Sequence, residues 1–401
     1  MPVTRFAGID IASQTHVVAI VGEAGNVLVK PTAFSEDDAG YRKLFALLGT
    51  PDDILVAFEA TGHYGRNLLL ALHEQRFHAC LINPVRTRRF AQEDLARAKT
   101  DSIDALGIAR FAAQKRPAPT PPLDPSSDEL RELVRLYARI NQDYLDRARQ
   151  LHRLVDLCFP EFTRYVRTLN SHRATAILGE YPTAAAFDES CFQDLATLRC
   201  DSRHRVGEDL ARTLIDAAKT SVGRHHAAVY RTEMQYFCDD LDLFRNRLED
   251  LEAEIKRKVG EHAVASLLTS INGLGALSAA RIIAAVGDPA RFRCGAALAA
   301  YAGVVPGTRL SGLRRAGHAS LSPIGNARLR HALFMTTLGA VRRNPWLRAF
   351  YERLRANGKL PKVALGAAMR KLLIAVYAVA KSRRPFSPKL TPPPADDAKT
   401  L

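Results

Sequence analysis

Four carboxylates in the first 110 residues stand where the local pattern calls for something else. Asp101 and Asp104 lie three apart in "ARAKTDSIDALGIAR" (residues 96–110), among Ala, Leu and Ile and the bases Arg97, Lys99 and Arg110. On a helix that spacing puts both side chains on one face, where they can share a divalent cation. Asp10 interrupts the apolar run "FAGIDIA", and Glu59 closes "ILVAFEA" just before "TGHYG". A carboxylate in a buried strand needs a partner, and neither has Lys or Arg as an immediate neighbour. Four acids gathered at adjacent strand ends and one helix repel one another unless a cation sits among them. Hard oxygen donors of this kind suit Mg²⁺ (or Mn²⁺), and two such ions about 3.5–4 Å apart clamp the attacking and leaving oxygens of a phosphoryl transfer. Each acid also has an ordinary reading: Asp104 paired with Lys99 or Arg97, Glu59 capping the helix that follows, Asp10 turned outward on an edge strand. All four would have to be ordinary at once, and the shared topology favours the metal site.

A second candidate lies far along the chain. Ser311 in "GVVPGTRLSGLRR" is followed by Gly and set among Arg309, Arg314 and Arg315. Such a loop is electropositive enough to draw a phosphodiester and to stabilise attack on it. The ordinary role of a lone Ser in a Gly-rich loop is that of a turn residue.

The elements that must position these residues can be read in order. Residues 4–34 alternate in short β-type runs, a meander ("RFAGIDIA", "THVVAIVG", "VLVKPTAF"), with "EAGN" as a turn. "EDDAGYRKLFALLG" has helical apolar spacing, "DILVAFEA" is a buried strand, "GRNLLLALHEQR" a helix and "FHACLINP" another strand. Three strands followed by alternating helix and strand predict an α/β domain over 1–115 whose later strands run parallel. "KRPAPTPPLDPSSDE" (residues 115–129) is Pro-rich, ends in an N-cap signal and closes that domain as a linker over 116–129.

Beyond it the period changes. Leu130, Leu133, Tyr137, Ile140, Tyr144, Leu151, Leu154 and Cys158 follow an approximate heptad interrupted by Arg147. Tyr230, Met234, Phe237, Leu241, Phe244, Leu248, Leu251 and Ile255 keep a strict 4-3-4-3 spacing. Two helices with such seams pair, within one chain or across a dimer, and residues 130–264 are expected to be a helical coiled-coil region. Residues 165–225 read as shorter helices without evident chemistry. "LTSINGLGALSAARIIAAVGD" (268–288) has the form of a helix-hairpin-helix whose amides can hold a phosphate, or of a Gly-containing turn between core helices. A mostly helical domain is expected over 265–386, with a loop at 303–326 and a disordered tail at 387–401.

The charge distribution points to the partner. The net charge is +15, yet residues 266–401 hold 22 Lys+Arg against 4 Asp+Glu, leaving residues 1–265 slightly acidic at −3. So lopsided a balance fits a polyanion, and nucleic acid suits it better than a membrane because no basic amphipathic helix with an aromatic face stands out. No run of about 18 apolar residues appears, and the N-terminus lacks a basic-then-apolar leader pattern. Six cysteines without a C-x-x-C pair read as reduced core thiols of a cytoplasmic protein rather than a disulfide framework or zinc knuckle.

"GIDIASQTHVVAIV", "FEATGHYG", "LINPVRTRRFA" and "ARAKTDSIDALGIARF" resemble, in order and spacing, the RuvC-like domain of the DEDD transposases of bacterial insertion sequences, the insertion-sequence one-ten family. "INGLGALSAARIIAAVGDPARF", "LAAYAGVVPGTRLSG", "SPIGNARLRHALF" and "GKLPKVALGAAMRKLL" resemble its C-terminal transposase domain. The resemblance covers about residues 1–115 and 265–380. It implies that Asp10, Glu59, Asp101 and Asp104 are the DEDD ligands of an RNase H-like fold, and that Ser311 is a nucleophile forming a covalent phosphoserine link. It further implies donor and target duplex DNA as partners, a structured noncoding bridge RNA that guides them, and a homodimer or dimer of dimers in which the partner half of the site comes from another protomer. "PVRTRRFAQ" (84–92) offers a phosphate contact or a solvated helix start. Two other classes compete: a RuvC-like nuclease that hydrolyses branched DNA with water, leaving Ser311 as a turn, and a non-catalytic nucleic-acid scaffold.

Overall fold

In the computed structural model the described residues are 3–60, 63–93, 101–122, 124–305, 310–311, 314–315 and 325–388. They form two compact units, Met1–Leu123 and Asp124–Leu401.

The alternating N-terminal runs fold as β1 (Arg5–Asp10), β2 (Thr15–Gly22) and β3 (Val27–Ser35), joined antiparallel in sequence order. After helix α1 (Asp38–Leu48) come β4 (Ile54–Glu59), α2 (Arg66–Glu74), β5 (His78–Ile82), α3 (Pro84–Glu93) and α4 (Asp101–Lys115). β4 runs parallel to β1, and β5 parallel to β4, giving the sheet order β3-β2-β1-β4-β5. Asp10 therefore stands on the central strand, not on an edge. This mixed α/β sheet is consistent with the RNase H-like expectation.

Period-two alternation divides the sheet residues between two cores. Ala7, Ile9, Val56 and Phe58 pack on one face with Leu44, Leu48, Leu68 and Leu72 of α1 and α2. Phe6, Leu55 and Ala57 pack on the other with Phe90 of α3 and Ile108, Phe111 and Ala112 of α4. α4 lies unusually close to the sheet because of Gly8. A Cβ there would overlap the backbone N of Ala109 and O of Ala105 and stand 2.9 Å from Ala109 Cα. Only a residue without a side chain lets helix backbone rest on strand backbone at that point.

The described residues of the second unit are mostly helical, with one short two-stranded pairing and an isolated antiparallel bridge between Arg199 and Arg205. Two 34-residue helices, α5 (Pro125–Cys158) and α10 (Ala228–Glu261), enclose α6 (Phe162–Tyr165), α7 (His172–Glu180), α8 (Phe192–Thr197) and α9 (Glu208–Lys219) in the chain. α11 (Ala263–Leu268), α12 (Ala276–Val286) and α13 (Gly295–Ala302) follow, then the hairpin β6 (Leu310–Ser311) and β7 (Arg314–Arg315), and α14 (Ala327–Arg343), α15 (Pro345–Ala356) and α16 (Pro361–Ser382). α5 begins inside the segment read as linker, where Asp124 caps it by accepting from Ser127 N.

The heptad helices pair with each other within one chain. Tyr137 Oη donates to Glu252 Oε1 at 2.7 Å, and Arg147 and Lys258 pair with Asp240 and Glu129 across the seam. Their two ends enter different cores. Leu151, Leu154, Val155 and Cys158 join Met234, Cys238 and Leu241 and the short helices between them. Leu130, Tyr137, Ile255 and Val259 instead join α11 to α16, so the packing runs through residue 264 without a break. The "NGLG" turn has a packing reason. Gly273 takes φ of +90°, and a Cβ there would stand 2.5 Å from Ala340 Cα on α14. By length and composition α16 could cross a membrane, but Ala368, Leu372, Leu373, Val376 and Val379 are fully or nearly fully buried in the core of this unit. The tail at 389–401 lies outside the described residues.

Candidate active site

The parallel pairing of β1 and β4 fixes the first two acids. Ile9 lies opposite Phe58, so the next residues, Asp10 and Glu59, end adjacent strands at their carboxyl ends. Alternation gives both the face that carries Gly8 and Ala57, which is the face α4 covers. α4 presents Asp101 and Asp104 in its first turn, where the helix dipole also favours carboxylates. Asp10, Glu59 and Asp104 are half-buried and Asp101 is exposed.

Electrostatics tie the four together. The Asp10 carboxyl is pushed up to about 6, first by burial and then by the charges of Asp104, Asp101 and Glu59. The strongest charges it feels are thus three other carboxylates, and the Ile11 amide is its compensating hydrogen-bond donor. The ordinary alternative for Asp10, a side chain turned outward on an edge strand, does not describe it, because β1 is the central strand of the sheet. Among the described residues no three acids, imidazoles or thiols stand at the spacing of a shared metal ion. The donor set itself, hard oxygens with a shared excess of negative charge, fits Mg²⁺ or Mn²⁺.

Two supporting residues escaped the sequence reading. Thr87, buried on α3, donates its hydroxyl to Glu59 Oε1 at 2.5 Å. Its neighbours Arg86, Arg88 and Arg89 are exposed, with Arg86 over the ring of Phe111 at 5.2 Å. His16 is fully buried: its Nδ1 accepts from the Ala12 amide at 3.2 Å, and its Nε2 lies 2.6 Å from Glu36 Oε2. Glu36 also accepts from Tyr41 Oη at 2.8 Å and Asn67 Nδ2 at 3.2 Å. This network holds the turn that leaves Asp10. Thr87 stood inside the quoted "PVRTRRFAQ"; its polar side chain among bases was the available signal.

The serine loop is described only in its backbone. Ser311 pairs with Arg314 and Leu310 with Arg315, antiparallel, in the β6–β7 hairpin. Arg309 lies outside the described residues, as do Arg97 and Lys99. Ser311 belongs to the helical unit and the acids to the sheet unit.

The chain thus joins a mixed α/β unit, with acids at the ends of its parallel strands, to a helical unit. Residues 7–160 match the DEDD transposase domain of IS110 elements, and residues 265–352 match the transposase family of IS116, IS110 and IS902. The chain is 30% identical to the mini-circle putative transposase for IS117 of Streptomyces coelicolor, over 96% of this chain and 95% of that one. It is 28% identical to an IS116 protein of Streptomyces clavuligerus over 96% of both, and 24% identical to the pilin gene-inverting protein of Moraxella bovis over 96% and 98%. The chain belongs to the IS110 family of insertion-element transposases.

Proposed function

We propose that this transposase cuts and rejoins DNA strands by a two-part site, with Asp10, Glu59, Asp101 and Asp104 as ligands of a divalent cation and Ser311 as nucleophile. The observation that carries the first part is that Asp10 and Glu59 end adjacent parallel strands on the face covered by α4, whose first turn holds Asp101 and Asp104, and the Asp10 carboxyl is pushed up accordingly by burial and those three charges. A bound Mg²⁺ or Mn²⁺ would neutralise a phosphate and lower the pKa of a coordinated hydroxyl. The second part rests on family membership and on the Ser311–Arg314 pairing.

In the chemical step the Ser311 Oγ attacks phosphorus and the bond from phosphorus to one sugar oxygen breaks. The hydroxyl proton ends on that departing oxygen. The phosphoserine link keeps the phosphodiester energy, and attack by a second strand's hydroxyl returns the proton to serine as the strands rejoin. A relative named for inverting a pilin gene fits such conservative exchange. Thr87 and His16 hold Glu59 and the turn after Asp10 in place. Donor and target duplex DNA are the substrates, consistent with the +15 charge. A noncoding bridge RNA supplies the sequence reading, since pairing reads bases while protein reads backbone and shape. The working assembly is a homodimer or a dimer of dimers.

The deciding experiment incubates the chain with donor DNA and Mg²⁺ and resolves the products on denaturing gels. A protein–DNA adduct that disappears in Ser311→Ala supports the reading. Mg²⁺-dependent cleavage without adduct would make the chain a hydrolytic nuclease, and no cleavage at all would leave a scaffold.

A further inference from the structure

The helical insert between the two long helices holds a second concentration of chemistry. Its residues 159–227 contain 9 Lys+Arg and 9 Asp+Glu, so the insert as a whole is neutral. Six of those nine bases fall in two short stretches, 164–173 and 199–205, which contain one acid, Asp201. The fold brings these stretches to one cavity of about 420 Å³, lined by Arg167, Arg173, Ser171, Tyr165, Asp201 and His204 among others.

Three observations give that cavity an anionic ligand. The first is the fate of its one acid. Asp201 Oδ1 accepts from the amides of Arg203 and His204 at 2.7 and 2.8 Å, and Oδ2 lies 3.0 Å from His204 Nδ1. Its charge is spent on its own turn, leaving the arginines unneutralised. The second is a repulsive pairing that flanks the cavity's Cys200–His204 wall. Arg199 and Arg205 face each other directly in an antiparallel bridge, and both are exposed. Like charges in that position destabilise a strand pair, a cost that an anion between them removes. The third is that Arg167, Arg199, Arg203 and Arg205 form no ion pair among the described residues. The first turn of α7 opens on the same cavity, where Ser171 caps Ala174 N and the amides of His172 and Arg173 have no acceptor among the described residues. His172 Nδ1 is engaged by Arg245 at 2.8 Å, which fixes that part of the cavity wall.

We propose that this cavity binds the phosphodiester backbone of a nucleic acid strand, as an anchor separate from the carboxylate site. Guanidinium forks and free helix amides match phosphate oxygens in number and geometry. Tyr165, 45% exposed at the rim, offers a face for stacking an adjacent base. The inference takes from the proposed function only that the chain's polyanion is a nucleic acid.

The test measures fluorescence anisotropy of labelled single-stranded RNA, single-stranded DNA and duplex DNA with the full chain in EDTA, so that cleavage plays no part. Arg167→Gln, Arg203→Gln and Arg205→Gln combined should weaken binding at least tenfold at about 0.15 M salt and lower the slope of log affinity against log salt by about 2. The same three positions changed to Lys should restore most of the slope. Arg139→Gln with Arg231→Gln, exposed bases elsewhere on the unit, should change affinity less than twofold. A loss confined to RNA assigns the anchor to RNA, and one confined to duplex assigns it to DNA. Unchanged affinity and slope with all three probes, in a triple variant that melts like wild type, would overturn the inference. A salt-dependent change of mass without nucleic acid would overturn it in favour of a chain–chain contact. Wild-type chain with no affinity for any probe would instead sink the proposed function.

Discussion

The hydroxyl of Thr87 on α3 donates to Glu59 Oε1 at the end of β4, 28 residues away in the chain. The bond fixes which way the Glu59 carboxylate faces. Thr87→Val keeps the shape and removes the donor, so it should cost about 1–3 kcal/mol of stability, as for a hydrogen bond to a charged group. Strand cleavage should fall at least tenfold, and Thr87→Ser should recover most of it. Chemical denaturation and adduct yield measure the two effects; wild-type cleavage by Thr87→Val would show that Glu59 needs no such support.

Gly8 sets how near α4 comes to the sheet. In Gly8→Ala the new methyl meets the backbone of Ala105 and Ala109, which cannot swing aside as a flexible side chain would. The helix must shift, costing about 1–3 kcal/mol, and it carries Asp101 and Asp104 with it. We expect a lowered melting temperature together with strongly reduced cleavage, although no acid has been changed. Unimpaired cleavage would mean that the position of α4 is not critical.

Burial and the three neighbouring carboxylates push the Asp10 carboxyl up to about 6 from an ordinary value of 3.8. A raised carboxyl binds its proton more tightly when folded. Its contribution is therefore most favourable below about pH 4 and is lost as pH rises through 6. Without divalent cation, Asp10→Asn should melt above wild type at pH 7.5, and the gap should close as pH falls from 6 to 4. Added Mg²⁺ should raise the melting temperature of wild type at pH 7.5 more than that of Asp10→Asn. A gap that persists unchanged to pH 4 would locate the effect elsewhere.

His16 is buried between the Ala12 amide and Glu36. His16→Phe leaves the Ala12 amide without its acceptor and removes one of three partners from Glu36, so a loss of about 2–3 kcal/mol is expected. Cleavage should fall with it because the turn following Asp10 is released. Hydrogen exchange at the Ala12 amide reports the release directly.

The acids and Ser311 lie in separate compact units. If the site is assembled across protomers, mixing Ser311→Ala with Asp101→Asn chains should restore part of the activity that each lacks alone. Absence of any complementation would assign assembly to one chain.

Much of the candidate site was legible because its acids break patterns. An Asp inside "FAGIDIA" and a Glu closing "ILVAFEA" conflict with burial, and a conflict of that kind shows in one dimension. The strands, the long helices and the lopsided charge of residues 266–401 follow from local period and composition in the same way. What local pattern does not contain is distance across the fold. The heptads of α5 and α10 allowed a partner in the same chain or another, and the Tyr137–Glu252 bond and the Arg147 and Lys258 pairs assign them to each other. Gly8 looks like any glycine until α4 is laid on it, and Thr87 and His16 acquire roles only through partners 28 and 20 residues away. The arginines at 164–173 and 199–205 are diluted to neutrality along the insert, and only the fold brings Arg167 and Arg173 to one cavity with the Cys200–His204 turn that the others flank. Local period reports which face of an element is apolar, whereas contact between elements depends on how those faces pack, and packing is a property of the folded chain.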